Sequence, residues 1–176
     1  MTETSQWIFG YGSLIYKVDF PFLEKRAASI QGWVRRFWQG SHDHRGWPHA
    51  PGRVVTLIPE PGAVCAGVAY RVDASVLAHL DFREKNGYQR VTTPLLFDDG
   101  EATDGIVYIA KQDNEAFLGE APLAEIAAHI HRSEGPSGSN RDYLLQLAEA
   151  LRQLAVHDEH VFELEALMQA HSDTPS

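Results

Sequence analysis

A glycine-broken strand and one carboxylate carry the chemistry this sequence can offer. The strand is Trp7-Ile-Phe-Gly-Tyr-Gly-Ser-Leu-Ile15, aromatic and branched at first and then interrupted by Gly10 and Gly12. Glycine inside such a run marks a backbone bend or a close approach. A strand that breaks into a Gly-Tyr-Gly-Ser turn can aim several backbone N–H groups into one hollow, which holds an anion or a polarised carbonyl oxygen. The plain alternative is a first strand ending in an ordinary turn, and the segment alone leaves both open. Glu84 is the candidate acid/base. It falls where a short helix ends, just before Asn86-Gly87. A carboxylate there faces the negative end of the helix dipole, which disfavours ionisation. A dry site would raise its pKa further, toward the range where a carboxylate serves as general base. From composition alone, the favoured reading is one charge in the solvated run Asp81, Arg83, Glu84, Lys85.

Other reactive residues point to less. His42, His44 and His49 share one loop, and His129 and His131 share a helix. Neither group has His-Glu-x-x-His spacing and no paired cysteines help, so no metal site is expected. Cys65 lies in an apolar strand and reads as a buried, inert thiol. Ser13 does not sit in a Gly-x-Ser-x-Gly elbow. Gly10-Tyr-Gly-Ser-Leu-Ile also lacks the third glycine and the lysine of the phosphate loops. The stretch Trp33-Val-Arg-Arg-Phe-Trp38, with His42, His44 and Arg45, could stack on bases. With a net charge of −9, a core strand with aromatics in and arginines out is favoured, and no nucleic-acid partner is expected.

These residues need elements to position them. Residues 28–40 read as one long, bent strand after a loop over 18–26, and residues 41–52 as a polar loop. Strands over 53–58 and 63–72 flank the turn Pro59-Glu-Pro-Gly62, predicting a hairpin. Asp73 caps a short helix bearing Val76, Leu77 and Leu80. Strands over 88–97 and 101–110 form a second hairpin through Asp98-Asp-Gly100. Pro122 opens a helix with Leu123, Ile126, Ala127 and Ile130 on one face. After the breaker loop Gly135-Pro-Ser-Gly-Ser-Asn140, Asn140 caps a helix carrying Leu144, Leu147, Leu151 and Leu154. A last helix from Asp158 carries Val161, Leu164 and Leu167. Strands first and helices last is an α+β pattern with a mainly antiparallel sheet. Bent, glycine-marked strands of this kind can close toward a small barrel.

The chain of 176 residues suits one domain over 1–176. Its 44% apolar and 22% charged residues give an ordinary globular balance. No apolar run approaches the ~20 residues of a membrane span. The polar Met-Thr-Glu-Thr-Ser-Gln start is not a secretory signal. A single cysteine forms no internal disulfide, so a cytoplasmic location is expected.

Taken together, the segments resemble the ChaC family of γ-glutamylcyclotransferases, which act on glutathione. The matching stretches are Phe9-Gly-Tyr-Gly-Ser-Leu-Ile15, Lys17-Val-Asp-Phe-Pro21, Arg35-Arg-Phe-Trp-Gln-Gly-Ser41, Asp43-His-Arg-Gly46 and Pro51-Gly-Arg-Val-Val-Thr-Leu57. Gly67-Val-Ala-Tyr70, Leu80-Asp-Phe-Arg-Glu-Lys85 and Gly135-Pro-Ser-Gly138 follow, with Asn140, Tyr143 and Leu144 completing the set. They occur in the family's order over nearly the whole chain. Tyr16 stands where the family commonly has tryptophan, and Asn86-Gly87 replaces a Gly-Gly pair.

The resemblance implies a small mixed barrel with flanking helices. It implies a substrate-binding turn of Gly10, Tyr11, Gly12, Ser13, Leu14 and Ile15, Glu84 as catalytic acid/base, and Tyr143 lining the pocket. The implied partner is a small γ-glutamyl peptide, with no cofactor, no metal, no nucleic acid and no membrane, acting as a monomer or weak dimer. In the implied reaction the γ-glutamyl α-amine attacks its own side-chain carbonyl, giving 5-oxoproline and Cys-Gly. A tethered nucleophile needs no enzyme nucleophile, and its orientation can be worth ~7–11 kcal/mol. Arg53 or a loop histidine is a candidate for the anionic Cys-Gly end. The rival readings are ring closure on another γ-glutamyl amide, a non-catalytic γ-glutamyl-binding regulatory protein, and the nucleic-acid binder.

Overall fold

A computed structural model describes residues 5–18, 20–41, 45–83, 88–110 and 113–173. The chain divides into two compact units, each made of separated stretches: Met1–Val34 with Leu57–Asn114, and Arg35–Thr56 with Glu115–Ser176.

The first unit holds a closed five-stranded barrel. Its strands are β1 (Ser5–Gly10), β2 (Glu24–Ser41), β3 (Gly52–Asp73), β4 (Tyr88–Phe97) and β5 (Ala102–Ala110), in the order β1-β3-β2-β4-β5. β1 runs antiparallel to β3, with Gly10 opposite Val68, and parallel to β5, with Ile8 opposite Ile106. β4 pairs antiparallel with β2 and with β5. The barrel is therefore mixed, and closure leaves it no free edge. Ile8, Phe9, Ile30, Leu57, Leu95 and Val107, all on its strands, are fully buried; neighbours such as Ile8 and Phe9 point to opposite faces of the barrel wall.

The expected hairpin at Pro59-Glu-Pro-Gly62 does not exist. β3 passes straight through that stretch, and β2 is its neighbour in the barrel. Residues 59–62 are exposed, and a proline whose missing N–H faces outward does not break a strand. Gly62 lies within β3 at φ +85°, a conformation glycine adopts without steric cost.

α1 (Ala74–Arg83) packs on β1. Asp73 starts it as expected: its Oδ1 accepts from the Ser75 N–H and hydroxyl, each at 2.9 Å. Those bonds hold the Asp73 carboxyl below its ordinary pKa.

The second unit contains α2 (Leu123–His131), a small hairpin of β6 (Glu134–Gly135) and β7 (Gly138–Ser139), α3 (Asn140–Gln153) and α4 (Glu159–Asp173). Residues 35–41 of β2 and 52–56 of β3 also belong to it. Ile126, Ala127, Ile130, Leu144, Leu147 and Leu151 are buried, as their spacing predicts. In α4 the buried apolar residues are Val161, Leu164 and Met168, with Leu167 half-buried. Met168 is seven positions from Val161, so the stripe follows the helical period. Among the described residues, no helix is long and apolar enough to cross a membrane.

The second unit corrects two further expectations. Ser139, not Asn140, caps α3: its side chain accepts the Asp142 N–H at 3.1 Å. Asn140 is the first helical residue, and its amide is used elsewhere. In β2, alternate residues Arg35, Phe37 and Gln39 are buried while Trp33 and Trp38 are half-buried. One arginine thus lies inside, because Arg35 Nη1 donates to Asp158 Oδ2 at 2.7 Å. His160 packs beside this pair, stacked on Phe37 and accepting the Phe37 N–H through Nε2 at 3.0 Å. Burial, helped by Arg36, pushes its pKa down to about 4, so it is neutral at physiological pH.

Candidate active site

The sequence forces β1 to stop at Gly10. A Cβ on Gly10 would sit 2.7 Å from Leu14 Cβ, and one on Gly67 would sit 2.2 Å from the Gly10 carbonyl oxygen. Two strands and the following turn can share this space only if both residues are glycine. The chain bends at Tyr11 and Gly12 and then makes one 3-10 turn, Ser13–Ile15. The first helical bond is Ile15 N–H to Gly12 O at 2.9 Å, followed by Tyr16 N–H and Lys17 N–H to Ser13 O. A turn of this kind leaves the N–H groups before its first bond unused. Those of Gly12, Ser13 and Leu14 have no acceptor among the described residues. Gly12 and Ile15 are buried, Leu14 is half-buried and Ser13 is exposed. Three successive N–H donors at the start of a helical turn are the kind of group that can bind a carboxylate or an oxyanion.

Two tyrosines hold the turn. Tyr11 folds inward and donates to the Tyr108 carbonyl at 2.7 Å. Tyr70, on β3, donates to the Leu14 carbonyl at 2.5 Å. Carbonyls of a helical turn point to its C-terminal end and N–H groups to the other, so the Tyr70 bond leaves the donor end clear. Phe20 and Phe22 pack on the Tyr70 ring, with centroids 5.8 and 5.1 Å away. Burial pushes the Tyr70 pKa up to about 12, which keeps its hydroxyl protonated and donating. Tyr70→Phe removes this one bond. It should raise KM for the substrate roughly 5- to 20-fold with kcat within about twofold, reflecting a lost hydrogen bond of about 1–2 kcal/mol. Steady-state kinetics checks it; an unchanged KM would remove Tyr70 from the loop's support.

The other predicted residues are placed as follows. Gly10, Tyr11, Gly12, Ser13, Leu14 and Ile15 come together in the one turn. Glu84 lies outside the described residues, as do His42 and His44. Tyr143 lies in the first turn of α3, in the second unit, and is 6% exposed. Its ring meets Phe37 edge-on at 5.8 Å, and its hydroxyl oxygen accepts the Val55 N–H at 3.3 Å.

Arg53, a candidate for the Cys-Gly end, is tied into a hydrogen-bond network. Its Nη1 donates to the Phe37 and Gly119 carbonyls at 2.9 and 3.0 Å, and its Nε meets His129 Nδ1 at 3.3 Å. His129 Nε2 lies 2.7 Å from the Pro51 carbonyl. The ring therefore donates through Nε2 and accepts through Nδ1, which leaves no nitrogen for a metal. Burial lowers the pKa of both Arg53 and His129. Asn140 closes the network: its Oδ1 accepts the Arg53 N–H at 2.7 Å and its Nδ2 donates to the Arg53 carbonyl at 2.8 Å. Among the described residues no group of three or more His, Cys, Asp or Glu could hold a metal ion. Cys65 is buried, as expected. Sequence reasoning missed Tyr70, Asn140 and Arg45 as anchors. The only available signal was a polar residue inside an otherwise apolar or tightly turned segment.

Comparison with known proteins gives the class. The family model described as ChaC-like protein matches residues 6–171. The chain is 45% identical to Gamma-glutamylcyclotransferase 2-3 of Arabidopsis thaliana, over 91% of this chain and 86% of the relative. It is 42% identical to Glutathione-specific gamma-glutamylcyclotransferase 1 of Danio rerio, over 96% and 91%. A crystal structure of the yeast γ-glutamyl cyclotransferase specific to glutathione superposes with a TM-score of 0.88 at 32% identity, covering 96% of this chain and 97% of that one. The chain belongs to the ChaC-like family.

Proposed function

We propose that this chain is a γ-glutamylcyclotransferase that converts glutathione to 5-oxoproline and Cys-Gly. The observation that carries the reading is the turn after β1, with three successive N–H groups that have no acceptor among the described residues, on a backbone held by Tyr11 and Tyr70. Relatives named for this activity, similar along nearly the whole chain, support it.

In the proposed reaction the turn binds the glutamyl carboxylate and fixes the γ-glutamyl unit. Glu84 removes a proton from the α-ammonium. The freed amine attacks the γ-carbonyl carbon, forming the ring C–N bond. The amide C–N bond to cysteine then breaks as Glu84 returns its proton to the leaving nitrogen and takes the surplus proton of the new ring nitrogen, which passes to the released amine, so 5-oxoproline leaves as the neutral lactam and Cys-Gly as its ammonium form. Electrons and protons balance without an external reactant. Proton transfer by one positioned carboxylate contributes on the order of 10²–10⁴-fold; holding amine and carbonyl together contributes more. Tyr143 is proposed as a substrate contact. We place the reaction in the cytoplasm, where the single thiol of Cys65 stays reduced, and expect a monomer or weak dimer.

The test is a product assay with purified protein, glutathione and a panel of γ-glutamyl dipeptides. Stoichiometric 5-oxoproline and Cys-Gly from glutathione is the expected result. Binding of glutathione without product would leave a non-catalytic γ-glutamyl-binding protein instead.

A further inference from the structure

We infer that His160 is an acid-sensitive latch inside the second unit: a proton on its Nε2 breaks the bond that holds the start of α4 against β2. The ring is half-buried. It stacks on the Phe37 ring, with centroids 6.0 Å apart and planes 25° apart. Its Nε2 accepts the Phe37 N–H at 3.0 Å. A ring nitrogen that accepts carries no proton, so the neutral ring holds its one proton on Nδ1. A second proton at Nε2 would set donor against donor and strand the Phe37 N–H. A buried backbone N–H without an acceptor is destabilising.

The surroundings are poor in support for a cation. Burial opposes protonation most, and Arg36 and Arg35 of β2 add to it. His160 also lies in the first turn of α4, where the positive end of the helix dipole disfavours another positive charge. Asp158 favours protonation, but its carboxylate is already committed. Its Oδ2 accepts from Arg35 Nη1 at 2.7 Å and its Oδ1 from the Val161 N–H at 3.1 Å. Glu159 and Glu163, on the same helix, are exposed. From α3, Arg152 is engaged with Glu149 and Glu165 and lies over the Phe162 ring, which His157 also meets. From α2, His129 is held between Arg53 and the Pro51 carbonyl. A protonated His160 therefore has to leave its place. Phe37 carries more than the latch. Its ring meets Tyr143 edge-on at 5.8 Å, and its carbonyl accepts from Arg53 Nη1 at 2.9 Å. Release of α4 from Phe37 loosens the residue on which both depend.

Burial brings the folded ring's pKa from 6.5 down to about 4. The latch's contribution to stability is thus fully present above about pH 6.5 and is lost as the pH falls from there toward 4. The test is urea unfolding of the full chain at pH 7 and pH 5, for wild type and His160→Gln. Glutamine offers an oxygen to the Phe37 N–H and does not titrate. Between the two pH values the wild-type unfolding equilibrium constant should rise roughly tenfold more than that of His160→Gln. Equal rises would overturn the latch. A measurement on wild type alone covers a variant that does not fold. Nitrogen-15 NMR of the His160 ring should show Nε2 without a proton at pH 7 and titration well below the ordinary histidine range. A ring protonated at Nε2 at pH 7, or one that titrates at the ordinary value, would equally overturn it.

Discussion

Glu84→Gln should abolish turnover of glutathione while leaving the fold and glutathione affinity intact. Glutamine has the shape of glutamate and still makes hydrogen bonds, but it cannot accept and return a proton. The α-amine of the substrate would then remain an ammonium ion at neutral pH, with no lone pair to attack its own carbonyl. The loss should be at least ~10²–10⁴-fold in kcat, the usual size of a positioned general acid/base. Calorimetric binding of glutathione and the thermal midpoint should match wild type. Glu84→Asp, which keeps the carboxylate but shortens its reach, should fall between the two, since misplacement of about 1 Å can itself cost ~10²-fold. A Glu84→Gln enzyme that released Cys-Gly at the normal rate would move the proton transfer to another residue.

The second large effect is on stability. Asn140→Ala should cost about 2–5 kcal/mol, because it strands both the N–H and the carbonyl of Arg53 in a buried place. For a chain of 176 residues this lowers the thermal midpoint by roughly 5–15 °C. Asn140→Asp separates bonding from volume. It is isosteric, yet it would set an oxygen against the Arg53 carbonyl where Nδ2 now donates. It should therefore destabilise comparably, which thermal unfolding of the three proteins would show. A near-native Asn140→Asp would mean that the site needs only the volume of the side chain.

Much of the fold was legible because local chemistry and burial agree there. Asp73 caps α1, Gly10 stops β1, and Ile126, Ala127 and Ile130 turn inward as their spacing requires. The failures share one physical cause: a partner far away in sequence decides the outcome. Pro59 and Pro61 look like a turn, but the neighbouring strand β2 keeps β3 running through them. Arg35 looks like a surface charge until Asp158 arrives beside it. Asn140 looks like a helix cap, yet its amide is taken by the Arg53 backbone, and the neighbouring Ser139 caps instead.

The candidate site divides the same way. The glycines of the Gly10–Ile15 turn marked a backbone bend, and the structure bends at Tyr11 and Gly12. Tyr70 gave no such sign, because a tyrosine in a strand looks like any core aromatic. Its hydroxyl matters only once Leu14 has been folded onto it. Arg45 was visible as part of a basic-aromatic cluster that could stack on bases, a reading the net charge of −9 disfavoured; its bond to the distant Ser139 carbonyl was not visible.

One measurement bears most directly on intramolecular ring closure. Purified protein is incubated with glutathione in water enriched in oxygen-18, and the products are read by mass spectrometry. Cyclisation predicts 5-oxoproline without the heavy isotope, released in equal amount with Cys-Gly. Free glutamate carrying oxygen-18 in its γ-carboxyl group would mean that water, not the substrate's own amine, had attacked the carbonyl.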